Sequence, residues 1–179
     1  MVVRVLFFIV VALVLAMAWF GGWIPHALGR DEQGADSALP PRAHGLSSGQ
    51  LSVAGLRFRS SEEQVVQAIG RPDVASPPRY DPSLGDSVSN WQYDGILVLM
   101  KDHGVVKVHC SATRCATANN VAVGDSRDKV IRTYGNPRTI ETADEKEMLR
   151  YSGTVAECSL NFTIKDGSVS TIDLACDGS

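Results

Sequence analysis

The pattern of apolar and polar residues along this chain is repeated: the same succession of predicted elements occurs twice. Each copy begins with a short helical pattern, in which apolar residues recur on one helix face and a glycine and a proline follow. The first copy begins at Ser60 and the second at Asp125. The residues expected to be buried on these helices are Val65, Val66 and Ile69, and Val130, Ile131 and Tyr134. An internal repeat of this kind predicts two structural units with the same fold.

Signals for the helix ends and for the strands complete each copy. Ser60 and Glu63 have the spacing of a capping box, and Asp125 is the expected cap of the second helix. Three strand-like runs then follow each helix. The predicted strands are 90–93, 96–100 and 105–110 in the first copy, and 147–151, 156–164 and 169–176 in the second. The predicted fold class is therefore α+β, with two tandem repeats of one helix plus a three-stranded antiparallel sheet.

The two copies differ on the sheet face that points away from the helix. Alignment of Lys101 with Lys165 gives both copies the same alternation, in which Ile96, Val98 and Met100 match Leu160, Phe162 and Ile164 on the buried face. The outer face then carries Leu97 and Leu99 in the first copy, but Asn161 and Thr163 in the second. Because the outer face of a one-sided sheet should be polar, Leu97 and Leu99 are candidate partner-binding residues. The alternative is that the other repeat or the linker covers them.

Two aromatic residues of the first copy are further candidates. Trp91 and Tyr93 fit a partner-binding surface, since aromatic residues are enriched at interfaces. Their equivalents in the second copy, Leu149 and Tyr151, are apolar as well. A position on the core side of the sheet is therefore the competing interpretation.

The N-terminal run is apolar enough to enter a membrane. Residues 5–24 contain no charged side chain, and Arg4 precedes them, which favours a cytoplasmic N-terminus. Trp19 and Trp23 suit a membrane–water interface, so residues 1–25 are predicted to be an uncleaved transmembrane anchor. A cleaved signal peptide, with Ala16 and Ala18 at the cleavage site, is the alternative. Residues 26–50 are rich in Gly, Pro and Ser and are predicted to be a flexible linker, followed by repeats at 51–115 and 116–179.

Four cysteines lie in the folded part of this exported chain, where an even number indicates disulfides. Three pairings are possible. The favoured one joins Cys110 to Cys115 across a tight loop, and Cys158 to Cys176 between two strands of a hairpin. The alternative is a zinc site that recruits His103 or His109, although the spacing matches no zinc pattern.

Composition and motifs exclude several classes of function. The formal net charge is −3, and no basic patch is present, so a nucleic-acid partner is not expected. The sequence contains no nucleophile motif, zinc-protease motif or phosphate-binding glycine loop. The four histidines are interpreted as solvated or structural. Neither enzymatic activity nor a cofactor or metal is therefore expected.

The repeated pattern Ser/Asp-x-x-x-x-Val-Val/Ile-x-x-x-Gly-x-Pro, followed by a strand that ends in tyrosine and a Lys-Asp turn, resembles the SmpA/OmlA (BamE-like) domain. The doubled form is similar to the two-repeat fold of the β-lactamase inhibitor protein family. The resemblance covers about Leu51 to Cys176. It implies a solvent-facing sheet that grips a protein partner, with a disulfide in each repeat.

These expectations combine into one functional hypothesis. The chain is expected to be a single-pass inner-membrane protein whose folded part lies in the periplasm or outside the cell. There it would bind an envelope protein as an assembly or accessory factor. The alternatives are an inhibitor of an extracytoplasmic enzyme and an accessory subunit of an inner-membrane complex.

Overall fold

The computed structural model of this chain describes residues 45–82, 85–102, 104–154 and 157–177. These residues form two helices and nine strands. The helices are α1 (Glu62–Ile69) and α2 (Arg127–Tyr134). In the first half of the chain the strands are β1 (Val74–Ala75), β2 (Arg79–Asp81), β3 (Asp86–Tyr93), β4 (Ile96–Lys101) and β5 (Gly104–Cys110). In the second half they are β6 (Thr139–Ala143), β7 (Lys146–Ser152), β8 (Cys158–Lys165) and β9 (Ser168–Cys176).

All nine strands belong to one antiparallel sheet. Its order is β1-β3-β4-β5-β9-β8-β7-β6, and β2 pairs with β3 beside β1. The last strands of the two repeats, β5 and β9, pair with each other, so that His109 lies opposite Asp173. The two predicted sheets are therefore halves of one sheet, and one cluster of buried apolar residues runs through both. The division into units at 51–115 and 116–179 stays a prediction.

The same backbone hydrogen bonds recur in the two repeats. Val105 N–H donates to Ser60 O at 3.0 Å, and Val169 N–H donates to Asp125 O at 2.8 Å. The Tyr93 hydroxyl donates to Gly70 O, at the end of α1. In the second repeat Tyr151 donates in the same way to Gly135 O, at the end of α2. The irregularity between Leu99 and Met100 in the β4–β5 register also recurs, between Thr163 and Ile164 in the β8–β9 register. These correspondences support the residue-by-residue alignment of the two copies.

Each half of the sheet contains an edge strand that the sequence prediction missed, so the three-stranded description was wrong. In the second repeat this strand is β6, which pairs Ile140 with Leu149. In the first repeat β1 occupies the same place, because it pairs Ala75 with Trp91. Pro77 and Pro78 lie between β1 and β2, and proline cannot donate to a strand ladder. The predicted loop from Asp73 to Ser89 therefore contains a broken edge strand.

Both helices begin one residue later than the sequence predicted. The cap of α1 is Ser61, whose hydroxyl accepts from Gln64 N–H while the Gln64 side chain accepts from Ser61 N–H. This capping box replaces the expected pair of Ser60 and Glu63. The cap of α2 is Ser126 rather than Asp125, whose carboxylate accepts from Ala122 N–H at 2.6 Å. In both cases a capping residue stands next to the true cap, and the sequence alone did not separate them.

The buried helix faces are narrower than predicted. Val65 and Val130 are fully buried, as expected. The prediction that Val66 is a core residue was wrong, because this residue is 37% exposed. Its equivalent in the second repeat, Ile131, is half-buried. A helix of eight residues resting on one side of a sheet buries only the stripe that faces the strands. Ile69 is half-buried, and its equivalent in the second repeat, Tyr134, is 5% exposed.

The folded part begins earlier than Leu51. Leu46, which was predicted to lie in the flexible linker, is 2% exposed, and its N–H donates to Ser152 O at 2.8 Å. Leu51, Val53 and Leu56 continue this buried segment. The apolar side chain of Leu46 fixes a glycine- and serine-rich stretch whose composition had suggested a linker. Predictions for residues 1–44 lie outside the described residues, and within the described ranges no helix has the length and apolarity needed to span a membrane.

Two disulfides join the four cysteines in the favoured pairing. Cys158 and Cys176 are opposite each other on β8 and β9, with their Cα atoms 4.0 Å apart. Cys110 at the end of β5 is bonded to Cys115, with their Cα atoms 6.2 Å apart. Neither bond joins the two repeats. The covalent links therefore reinforce each half, while strand pairing and the shared core hold the halves together.

Candidate functional site

The sheet has a helix face and an open face. The helix face carries the tyrosines that reach the helix ends and the alternating core residues Ile96, Val98, Leu160 and Phe162. The open face is the opposite side, and one row of directly paired residues crosses it through eight strands. In order, this row is Val74, Gln92, Leu97, His109, Asp173, Asn161, Arg150 and Thr139.

The two halves of the open face differ in how they meet solvent. Leu97 is 37% exposed and Leu99 is half-buried, and both lie on the open face as the alternation predicted. Their equivalents are Asn161, which is 7% exposed, and Thr163, which is half-buried. Asn161 Nδ2 donates to Ser159 Oγ at 3.2 Å. The second half therefore covers its outer face with its own polar side chains, whereas the first half leaves leucine exposed.

Asn161 carries a further local cost. Its Oδ1 atom is buried and has no hydrogen-bond partner among the described residues. An unsatisfied buried acceptor costs about 1–3 kcal/mol. Leucine at the equivalent position, Leu97, carries no such cost but leaves apolar area in water. At this position the second repeat therefore has a buried polar side chain, and the first repeat has an exposed apolar one.

The centre of the open face is a pair that sequence reasoning missed. His109 Nδ1 lies 2.8 Å from Asp173 Oδ1, and the two side chains are 40% and 20% exposed. The Thr171 hydroxyl donates to the other carboxylate oxygen of Asp173 at 3.4 Å. His109 had been interpreted as solvated or structural, and alone it gave no signal. The alignment of the repeats could have found the pair, because it makes His109 and Asp173 equivalent positions.

Trp91 and Tyr93 do not belong to this surface. They lie on the helix face, where Trp91 pairs with Val98 and both aromatic residues pack against the core. Burial and the nearby Asp73 carboxylate raise the pKa of Tyr93. The four candidate partner-binding residues are thus split between two sides of the sheet. Only Leu97 and Leu99 share the open face.

The titratable groups near the core behave as structural groups. Burial raises the pKa of Tyr134 and of Tyr151, so both phenols stay neutral and serve as hydrogen-bond donors. The Arg127 guanidinium holds the pKa of Glu147 below its ordinary value through two hydrogen bonds, at 2.6 and 2.9 Å. Over the described ranges, no three His, Cys, Asp or Glu side chains are close enough together to hold a metal ion.

Comparisons with known proteins add no assignment. No protein-family model matches the chain, and no curated protein matches it either. Among solved structures, the uncharacterized protein yfeY from Escherichia coli is 13% identical, with a TM-score of 0.45, over 74% of this chain and 99% of that one. A DUF4309 family protein from Bacillus subtilis is 14% identical, with a TM-score of 0.38, over 65% of this chain and 78% of that one.

A third solved structure is also similar to this chain. A candidate beta-lactamase inhibitor protein from Streptococcus mutans is 15% identical, with a TM-score of 0.28, over 64% of this chain and 82% of that one. The resemblance to the SmpA/OmlA domain stays a prediction. The described residues by themselves establish the α+β fold, in which two helices accompany one antiparallel sheet.

Proposed function

We propose that this protein is a non-enzymatic binding module of the cell envelope, anchored in the inner membrane through residues 5–24. Its open face would hold a protein partner, with Leu97 and Leu99 as apolar contacts. The observation that carries this proposal is the 37% exposure of Leu97 on the sheet face opposite the helices. An apolar side chain in that position contributes to binding only when a partner removes it from water.

The size of this contribution can be set from the burial. Complete burial of a leucine is worth about 1.5–3 kcal/mol. Because Leu97 is already 63% buried and Leu99 is half-buried, a partner would gain about 1–2 kcal/mol from both together. That gain is small compared with the cost of association. The partner would therefore have to extend along the row that crosses the sheet, over Val74 and Gln92 on one side and His109 on the other.

The test is the double substitution Leu97→Asn with Leu99→Thr, which gives the first repeat the outer face of the second. The full-length protein, solubilised in detergent, is used to recover partners from envelope extracts. We expect the variant to fold, to have a free energy of unfolding close to that of the wild type, and to recover much less of the partner. The matched control is Val66→Asn, since Val66 is also 37% exposed but lies on α1, on the other side of the sheet.

Two outcomes would contradict the assignment. If the double variant unfolds, the leucines belong to the core. If it folds and recovers the partner fully, binding lies elsewhere, and the exposed β1–β2 edge is the next surface to change.

The state of the N-terminus separates the anchored role from the alternatives. Intact-mass measurement of the protein purified from membranes should give a chain that retains residues 5–24. A mature chain that begins at Trp19 or later would favour a freely diffusing inhibitor of an extracytoplasmic enzyme over an assembly factor. An accessory subunit would keep the anchor, and its partner would still be recovered with the double variant.

A further inference from the structure

The helix side of the first repeat contains a cleft of about 530 Å³ beside the end of α1. Its walls are built from small side chains, and its apolar floor includes two isoleucines. The residues that line it include Ala54, Gly55, Ala68, Ile69, Ile96 and Arg114. Its volume lies in the range of about 300–1,000 Å³ that is usual for small-molecule sites. It opens on the side of the sheet opposite Leu97.

The second repeat has a larger side chain at the position equivalent to Ile69. There the last helix residue is Tyr134, whose ring centroid lies 5.4 Å from those of Tyr151 and Phe162. Its hydroxyl donates to Thr117 Oγ1 at 2.8 Å, and Thr117 also lines the cleft. In the first repeat the residues equivalent to Tyr134 and Phe162 are Ile69 and Val98. Ile69 lines the cleft and Val98 is fully buried outside its lining, so the difference that bears on the cleft is the ring that Ile69 lacks compared with Tyr134.

The charge at the cleft selects the kind of ligand. Arg114 is exposed and contributes a guanidinium to the lining. Its Nη2 atom donates to Asp94 O at 2.9 Å, which fixes the group but leaves its remaining donors and its charge available. No acidic residue is found among the described residues that line the cleft. Guanidinium groups bind carboxylates in a planar, two-bond geometry.

We propose that this cleft is a second binding site, and that it takes a small aromatic carboxylate. The ligand ring lies against Ile69 and Ile96, beside the position at which the second repeat has the larger side chain of Tyr134. The ligand carboxylate pairs with Arg114. This site is independent of the partner surface on the open face, because the sheet separates them.

The test is a titration of the full-length, isotope-labelled protein with N-acetyl-L-tyrosine, followed by backbone amide shifts. A ligand of this size is expected to bind with a Kd of the order of 1 mM or tighter. The shifting amides should be those of Ala68, Ile69 and their neighbours in the cleft. N-acetyl-L-tyrosinamide, which has the ring without the charge, should bind at least tenfold more weakly.

Two substitutions test the two halves of the site. Ile69→Tyr places in the first repeat the ring that the second repeat has, and should abolish the shifts by filling the cleft. Arg114→Gln keeps a donor for Asp94 O, and should weaken binding at least tenfold while thermal unfolding is unchanged. If Ile69→Tyr does not fold, Ala118→Leu narrows the cleft from its exposed rim instead.

The proposal is overturned by any of three results. One is the absence of amide shifts in the cleft at 10 times the expected Kd. Another is equal binding of the amide and the acid. The third is unchanged binding by a folded variant whose cleft is filled.

Discussion

Tyr134 contributes two separable kinds of stabilisation, and a pair of substitutions measures both. Its hydroxyl donates to Thr117 Oγ1 at 2.8 Å, and Thr117 is 4% exposed. Tyr134→Phe removes this hydrogen bond and leaves a buried threonine hydroxyl with one partner fewer. The expected loss in the free energy of unfolding is about 1–2 kcal/mol. Tyr134→Ile also removes the ring, and makes the second repeat like the first.

The ring contacts set the larger part of the loss. Tyr134 is 5% exposed and packs against both Tyr151 and Phe162 at 5.4 Å between centroids. Each aromatic contact is worth about 0.5–1.5 kcal/mol beyond the burial of apolar area. Together with the hydrogen bond, Tyr134→Ile should therefore lower the free energy of unfolding by about 2–5 kcal/mol.

Urea denaturation followed by far-ultraviolet circular dichroism, with the disulfides intact, measures both losses. The denaturant dependence should stay the same, so that the midpoints report stability. A loss below about 1 kcal/mol for Tyr134→Ile would refute the reasoning, since it would mean that the aromatic cluster does not hold α2 to the sheet. An equal loss for both variants would show that the hydrogen bond alone matters.

Two further predictions concern the second repeat. Replacing Cys158 and Cys176 by serine should lower the free energy of unfolding by about 3 kcal/mol, because the bond closes a loop with a sequence separation of 18. In reducing buffer the wild type loses the same bond, so the variant and the wild type should then have the same free energy of unfolding. Glu147→Gln should cost roughly 0.5–1 kcal/mol at neutral pH, since the Arg127 side chain is 38% exposed. Arg127 lowers the pKa of Glu147 in the folded state, so this difference should be complete above the ordinary value of 4.5 and should vanish as the pH falls below it. A difference that persists at pH 2 would assign the effect to packing.

The sequence was sufficient to predict the elements that bury apolar residues. The glycines that follow the helices, Gly70 and Gly135, have positive φ angles of 91° and 76°, as a helix-ending glycine requires. The period-two alternation of β4 and β8 correctly separated the buried face from the open face. These signals are local, and they were present twice, so each copy supported the interpretation of the other.

The parts that sequence reasoning missed depend on distant contacts. Every residue of β6 is exposed, so the strand has no apolar alternation to mark it. Its place is set by backbone pairing with β7 alone. The pairing of β5 with β9 is also invisible locally, because either strand could have been an edge. Leu46 was lost in a stretch whose composition indicated a linker, since one buried side chain leaves no periodic pattern.

Only the part of the candidate site on the open face of the sheet could be predicted from the sequence. Leu97 and Leu99 were found because their equivalents in the second repeat are polar. Trp91 and Tyr93 could not be assigned to a face from residue type, since aromatic residues suit a core and an interface equally well. The cleft beside Ile69 depends on the size of a residue compared with its equivalent, and it becomes visible only when the tertiary packing is known.

His109 and Asp173 are equivalent positions of the two repeats that lie opposite each other, so the β5–β9 pairing relates the two halves by approximate twofold symmetry. The pairs on the two sides of His109 and Asp173 are equivalent to each other in the repeat alignment: Val108 lies opposite Leu174, and Cys110 lies opposite Ile172. Two identical single-repeat chains joined in this way would form a symmetric dimer in which each residue at the axis meets its own copy. Histidine would then face histidine, and aspartate would face aspartate. In one continuous chain, unlike such a homodimer, the axis can hold two different, complementary residues, and the same freedom allows a leucine surface and a cleft to exist in one half alone.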